Sequence, residues 1–267
     1  MLFFFILVGV QIIFESFPIS SSGHLILLEN ILNYFQQSNY ISLSNDLIIE
    51  HFFHVPTALV VALFFFDRWA FLLFHIRRCW NIILKLMFFS LVADFITFLF
   101  FILFKKVIDR SFLPLGLGFL ISIILLFSLR FCNKKTYSKL TLGKVIVIGI
   151  AQGISLLPGI SRFGLTFVTA CWIGISPIKA FEFSFAIEWP LIVARFLEGL
   201  ISFKKMPLFL QTNILSFNLL STIIVSTIIA FFALCFVKKL ILQNRLWIFS
   251  IFLCFSFFSW LFFICFF

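Results

Sequence analysis

Residues 15–24 read ESFPISSSGH, and they interrupt a chain that is otherwise oil: MLFFFILVGVQIIF (1–14) precedes them and LILL (25–28) follows. A carboxylate, three hydroxyls and an imidazole inside such a segment need a reason. An ionisable group at membrane depth costs at least ~2.5–3.5 kcal/mol and marks a functional site by default. Pro18 and Gly23 free backbone groups at the same place, and irregular backbone is tolerated in a membrane only where protein or a wet cavity satisfies it. The stretch therefore reads as the turn of a helical hairpin rather than the middle of a continuous span.

The composition agrees. The 267 residues are 63% hydrophobic and 11% charged, with mean hydropathy +1.21. A soluble domain is about 45–50% apolar and about 25% charged. The sequence predicts an all-α polytopic membrane protein. The net charge of +10 would suggest nucleic acid in a soluble protein. Here the basic residues fall mostly in short loops between apolar runs, so the membrane explains them and no nucleic-acid partner is expected. The six cysteines are scattered without a CxxC pair and read as small buried hydrophobes, not a disulfide framework or zinc site. The N-terminus has neither a basic n-region nor an A-x-A signal, so it is not read as a cleaved signal peptide.

Six segments are long and apolar enough to span: 50–66, 86–104, 112–130, 182–202, 214–236 and 246–267. Two others are interrupted, 2–35 at SFPISSSG and 144–178 at SLLPGISRFG. Their halves of about 10–14 residues suit re-entrant hairpins. The two breaks share a spacing: Gln11, Ser20 and Gly23 match Gln152, Ser161 and Gly164. Each is followed by a segment with an acid and a proline, Glu50 and Pro56 then Glu182 and Pro190. The expected organisation is one membrane domain, 1–267, with a first repeat over 1–130 and a second over 140–267. Broken helices at matching positions in two halves point to a site where the repeats meet. If the first hairpin enters from one side, 13 basic residues (Arg68, Arg77, Arg78, Lys85, Arg130, Lys134, Lys135, Lys139, Lys144, Lys179, Lys238, Lys239, Arg245) lie on the opposite side. Five (Lys105, Lys106, Arg110, Lys204, Lys205) lie on its own side. The richer side is cytoplasmic by the positive-inside rule. The repeats then have inverted topology, and the first hairpin opens outward.

Few ionisable groups fall in the apolar segments: Glu15, His24, Glu50, His51, His54, Asp94, Arg162, Glu182, Glu188 and Arg195. Glu50, Glu182 and Arg195 suit solvated or snorkelling positions near an interface, and Asp94 suits a structural partner. Gln11 and Glu15 stand at i, i+4 on one helix face. An amide and a carboxylate there can hold a divalent cation whose shell substrate phosphate completes; a plain polar patch between helices is the alternative. Ser20, Ser21 and Ser22 before Gly23 and His24 offer a hydroxyl beside an imidazole, the logic of nucleophilic attack. They also open a helix whose free N–H groups favour an anion, or cap it. Arg162 starts the next such helix, beside Ser161 and Thr166, and a guanidinium there suits bidentate phosphate recognition; pairing with Glu15 or Glu188 for topology alone is the alternative. A phosphate site inside a membrane implies a phosphate tethered to lipid.

With these residues in view the chain resembles the undecaprenyl-diphosphate phosphatases of the BacA/UppP type. The first family signature, (E/Q)xxxE then P-x-S-S-x-G-H, appears as Gln11 and Glu15 followed by PISSSGH (18–24). The second appears as AQGISLLPGISRFGLT (151–166). HVPTALVVALFFFDR (54–68), LPLGLGFLIS (113–122) and AFEFSFAIEWP (180–190) extend the likeness over nearly the whole chain. The resemblance implies six spans plus two re-entrant hairpins in the bacterial inner membrane. It implies hydrolysis of the C55 diphosphate to monophosphate and phosphate, which recycles the carrier for cell-wall synthesis and gives bacitracin resistance. It implies a divalent cation, Mg2+ or Ca2+, and allows a homodimer. By position, Glu15 and Gln11 become the metal-linked acidic motif. Ser21 becomes the nucleophile with Ser20 and Ser22 beside it, and His24 the acid/base partner. Arg162, Ser161 and Thr166 become the diphosphate clamp. Phe163 replaces a family serine, Pro56 a usual glycine, and Glu188 and Asp94 are extra acids. A polyprenyl-phosphate flippase without hydrolysis is the competing reading. The histidine-nucleophile lipid phosphatases are set aside because no K-x6-R-P element is present and no H-x3-D follows Arg162.

Overall fold

The computed structural model describes residues 2–36, 54–108, 112–132, 137–203 and 217–266. Glu50 and His51 lie outside the described residues. Among the described residues there is no strand. The helices are α1 (Leu2–Phe14), α2 (Ser21–Gln36), α3 (His54–Phe64), α4 (Phe66–Phe74), α5 (Ile76–Ile108), α6 (Phe112–Ser128), α7 (Leu142–Ile154), α8 (Arg162–Trp172), α9 (Pro177–Phe203), α10 (Phe217–Leu242) and α11 (Phe249–Phe266).

Both interrupted segments fold as helix–break–helix units. α1 and α7 have 13 residues each. At 1.5 Å per residue that is about 20 Å, short of a hydrocarbon core of about 30 Å. The breaks end helices for local reasons. Ser161 takes extended backbone and its Oγ accepts the Gly164 N–H, capping α8. Ser20 Oγ accepts the Gly23 N–H in the same way at α2. Gly159 turns the chain at φ +85°, a conformation that penalises any Cβ.

Three helices, Ile76–Phe104, Leu220–Leu242 and Leu246–Cys265, are long and apolar enough to cross a membrane, making this a multi-pass membrane protein. The expected span 50–66 lies in part outside the described residues, and its described part ends at Phe65, where the chain bends by 68° into α4. Asp67 and Arg68 follow at once, and α4 buries none of its residues. With Phe71, Leu73 and Phe74 exposed on α4, α3 and α4 are together long and apolar enough to form one broken span or a re-entrant loop. The expected span 86–104 begins earlier, at Ile76, because Arg77, Arg78 and Lys85 lengthen the helix rather than end it. Of the cysteines, Cys79 and Cys171 are buried as expected, while Cys235 and Cys265 lie on the exposed apolar surface.

The main core gathers Phe65, Phe163, Phe167, Phe181 and Phe185 between α3, α8 and α9. Phe163 belongs to this core. It is 2% exposed, with its ring 4.7 Å from that of Phe185. One helical step separates it from Arg162, so the two side chains leave α8 about 100° apart. α6 buttresses the second break: Ser122 Oγ donates to Gly159 O, and a Cβ on Gly118 would come 2.0 Å from Pro158 O.

Candidate active site

The two breaks touch. A Cβ on Gly23 would lie 2.8 Å from Gly159 Cα, and one on Gly164 would lie 3.1 Å from Pro18 O. Pro18 and Gly159 are 141 positions apart, as are Gly23 and Gly164. Each break therefore offers its glycine to the same point of the other.

Glu15 leaves the end of α1 into this junction. Its Oε1 is 2.7 Å from His54 Nδ1 at the start of α3, with both side chains mostly buried. Arg195 Nη1 lies 3.3 Å from His54 Nε2. Thr57, one turn along α3, faces the same carboxylate. Arg162 meets Glu188 of α9, Nη1 to Oε1, at 3.7 Å. That is longer than a good charge-assisted hydrogen bond of ~2.7–2.9 Å, and Arg162 Nε has no partner. Glu188 is within electrostatic reach of Arg162, Glu15 and Arg195 alike, so these four charges form one buried array. Glu188 and Arg195 are seven residues apart and share a face of α9. Pro190 lies between them inside the helix. Behind Arg162, Gln152 Nε2 donates to Asp94 Oδ1 and to Ile187 O, each at 3.3 Å. Asp94 thus has the structural partner the sequence suggested.

The serine-rich turn is arranged differently. Ser20 is buried and caps α2, Ser21 is half-buried and Ser22 exposed. Ser20 Oγ and Ser22 Oγ are 3.4 Å apart. His24 is engaged on both ring nitrogens. Nδ1 is 2.6 Å from Ser20 O, which can only accept, so Nδ1 carries the proton. Nε2 is left to accept from Ser256 Oγ of α11 at 2.8 Å. Phe14, Phe119 and Phe252 surround the ring. No hydrogen bond joins Ser21 to His24. Thr166 Oγ1 donates back to Arg162 O and Phe163 O, and Ser161 caps its own helix. Gln11 is buried on α1, one turn before Glu15.

Among the described residues no group of three or more His, Cys, Asp and Glu forms a ready metal cage. Glu15 Oε2 and Glu188 Oε2 are nevertheless buried without a partner. Unpaired carboxylate oxygens are the donors that hard divalent cations take, and Glu15 carries one of them one helical turn from Gln11.

His54 and Arg195 stand out in the sequence only as ionisable groups in apolar segments, with no role in the site, whereas Glu188 is there the alternative ion-pair partner of Arg162, and the structure brings the two together. The signal that marks them is the cost of the charge itself. The i, i+7 spacing of Glu188 and Arg195 adds that they point the same way.

A family described as bacitracin resistance protein BacA matches residues 4–257. An undecaprenyl-diphosphatase of Borrelia recurrentis (strain A1) is 31% identical over 257 residues, covering 91% of each chain. One of Treponema denticola is 31% identical over 267 residues, covering 93% of this chain and 91% of its own. One of Carboxydothermus hydrogenoformans is 31% identical over 199 residues, covering 73% and 71%. With a buried acid and a buried guanidinium brought together by two touching hairpins, and a match running almost from end to end, this chain belongs to the BacA family.

Proposed function

We propose that this protein is an undecaprenyl-diphosphatase. It hydrolyses undecaprenyl diphosphate to undecaprenyl phosphate and inorganic phosphate, recycles the carrier for cell-wall synthesis and confers bacitracin resistance. The observation that carries this reading is the contact between the two breaks. It sets Glu15 and Arg162 in one charged array within the membrane protein, which suits a membrane-borne, charged substrate. The names of the relatives supply the substrate.

In this reading Arg162, whose Nε lacks a partner, turns from Glu188 to the diphosphate, with Ser161, Ser20, Ser22 and Thr166 lining the anion's approach. Ser21 Oγ attacks the terminal phosphorus. The bond from that phosphorus to the bridging oxygen breaks, and undecaprenyl phosphate leaves. Water then cleaves the phosphoserine to free phosphate. Glu15 and His24 move the protons. For His24 this means exchanging the Ser20 carbonyl or the Ser256 hydroxyl for that of Ser21. Gln11 and Glu15 would hold Mg2+ or Ca2+, which supplies charge neutralisation of the diphosphate when bound. The chain crosses the bacterial inner membrane six times, with two re-entrant hairpins in inverted repeats and the site opening toward the outer face. The basic-residue asymmetry and the short arms of both hairpins support this. A homodimer is compatible with it.

The test is phosphate release from the C55 diphosphate by detergent-purified protein, with and without EDTA. Wild type releases phosphate and EDTA abolishes release. Ser21→Ala and Arg162→Ala each lose at least about a hundredfold, roughly 2.7 kcal/mol of transition-state stabilisation. Binding of the lipid without release under any divalent cation overturns the reading in favour of a lipid-phosphate carrier.

A further inference from the structure

We propose that His54 is a positioning residue for Glu15, with Arg195 fixing its tautomer; this rests on the phosphatase reading above. The chain of contacts has a single consistent assignment of protons. A guanidinium donates and cannot accept, so Arg195 Nη1 donates to His54 Nε2. Nε2 is therefore the unprotonated nitrogen, and Nδ1 bears the proton. Nδ1 is the nitrogen turned to the carboxylate, 2.7 Å from Glu15 Oε1 at ion-pair distance. Which nitrogen of a histidine is protonated is set by what its other nitrogen meets. The result is directional. His54 stands against Oε1 of Glu15, and Oε2 is buried without a hydrogen bond.

Three separate segments meet here: the turn after α1 supplies Glu15, α3 supplies His54 as its first residue, and α9 supplies Arg195. Trp189 Nε1 donates to Ala58 O and ties α9 to α3 one helical turn from His54. The His54 side chain is only 3% exposed, so its orientation is set by packing rather than by water. The carboxylate is thus held by a ring that is itself held, an arrangement that places a reacting group within the tolerance catalysis needs.

The experiment uses three variants of the full chain, assayed for phosphate release from the C55 diphosphate beside wild type, with thermal unfolding in the same detergent. His54→Leu keeps the volume and removes the donor. His54→Asn keeps an N–H near the place of Nδ1. Arg195→Met frees the tautomer and leaves the ring. His54→Leu is expected to lower kcat at least about thirtyfold with KM within about threefold, the pattern of a misplaced catalytic group. His54→Asn is expected to stay within about fivefold of wild type, and Arg195→Met to lose about three- to tenfold in kcat. Adding Arg195→Met to His54→Leu is expected to cost nothing further, because both act along one path. The proposal is overturned if His54→Leu keeps wild-type kcat, if His54→Asn is as damaged as His54→Leu, or if the two losses multiply. If His54→Leu does not fold, Arg195→Met and His54→Asn decide by themselves. A loss in kcat on Arg195→Met with a retained His54→Asn supports the assignment, and any other pair overturns it. A wild type that releases no phosphate overturns the functional reading itself, a result visible in the same assay before any variant is compared.

Discussion

The two hairpin breaks are built alike and equipped differently. Each has a serine that caps the following helix through the glycine three residues on, Ser20 to Gly23 and Ser161 to Gly164. Each presses its glycine against the other break. The residue after the capping serine differs: Ser21 in the first, Arg162 in the second. The first break also brings Glu15 and His24, and the second brings neither. The shared residues are those the backbone requires, a cap and a place with no Cβ. The divergent ones are those chemistry requires, where two copies of one group would be useless. An anion needs a guanidinium on one side, while hydrolysis needs a nucleophile on the other.

That comparison can be broken most severely at its point of divergence. Arg162→Ser makes the second break copy the first. It is expected to lower phosphate release at least about a hundredfold, near 2.7 kcal/mol, with unfolding in detergent little changed. The contact between breaks comes next. Gly118→Ala drives a Cβ to 2.0 Å from Pro158 O, a backbone atom that cannot swing aside. Overpacking of this kind costs about 1–3 kcal/mol, read as a lowered unfolding midpoint. Gly23→Ala meets Gly159 backbone at 2.8 Å, whereas Gly164→Ala meets Pro18 O and Ser161 at 3.1 Å. The first is therefore expected to be the more destabilising of the two, and equal midpoints would show that the reciprocal contact is looser than its geometry. Ser20→Ala and Ser161→Ala each remove a cap worth about 1 kcal/mol and should lower the midpoint to a similar extent. The smallest effect is expected from Glu188→Gln. It frees Arg162 from a carboxylate 3.7 Å away, and the KM for the diphosphate should fall about two- to fivefold.

The likeness between the breaks was legible in the sequence because it is local. Gln11-x8-Ser20-x2-Gly23 repeats as Gln152-x8-Ser161-x2-Gly164, and caps and turns depend on residues within a few positions of each other. Gln152 took its place without its partner being readable. It reaches Asp94 on α5, 58 residues earlier in the chain. The bend between α3 and α4 was hidden for a related reason. Hydropathy averages over Phe65 and its neighbours, while the bend is a backbone feature of that one position. His24 shows the reverse case. Its position beside three serines suggests a partner close in sequence, yet its Nε2 faces Ser256 of α11, 232 residues away.

By itself the sequence determined that this is a helical membrane protein, where its hairpins break, and that Glu15, Ser21, His24 and Arg162 are placed where apolar residues would cost nothing. Those conclusions rest on composition, periodicity and the energetic cost of a charge, which act residue by residue. Only the tertiary structure decided that His54 and Arg195 stand in line behind Glu15, that Arg162 pairs with Glu188 rather than Glu15, and that Phe163 turns into the core. Side-chain partners on α1, α3, α8 and α9 are chosen by how those helices pack, and no spacing along the chain encodes a contact that packing alone creates.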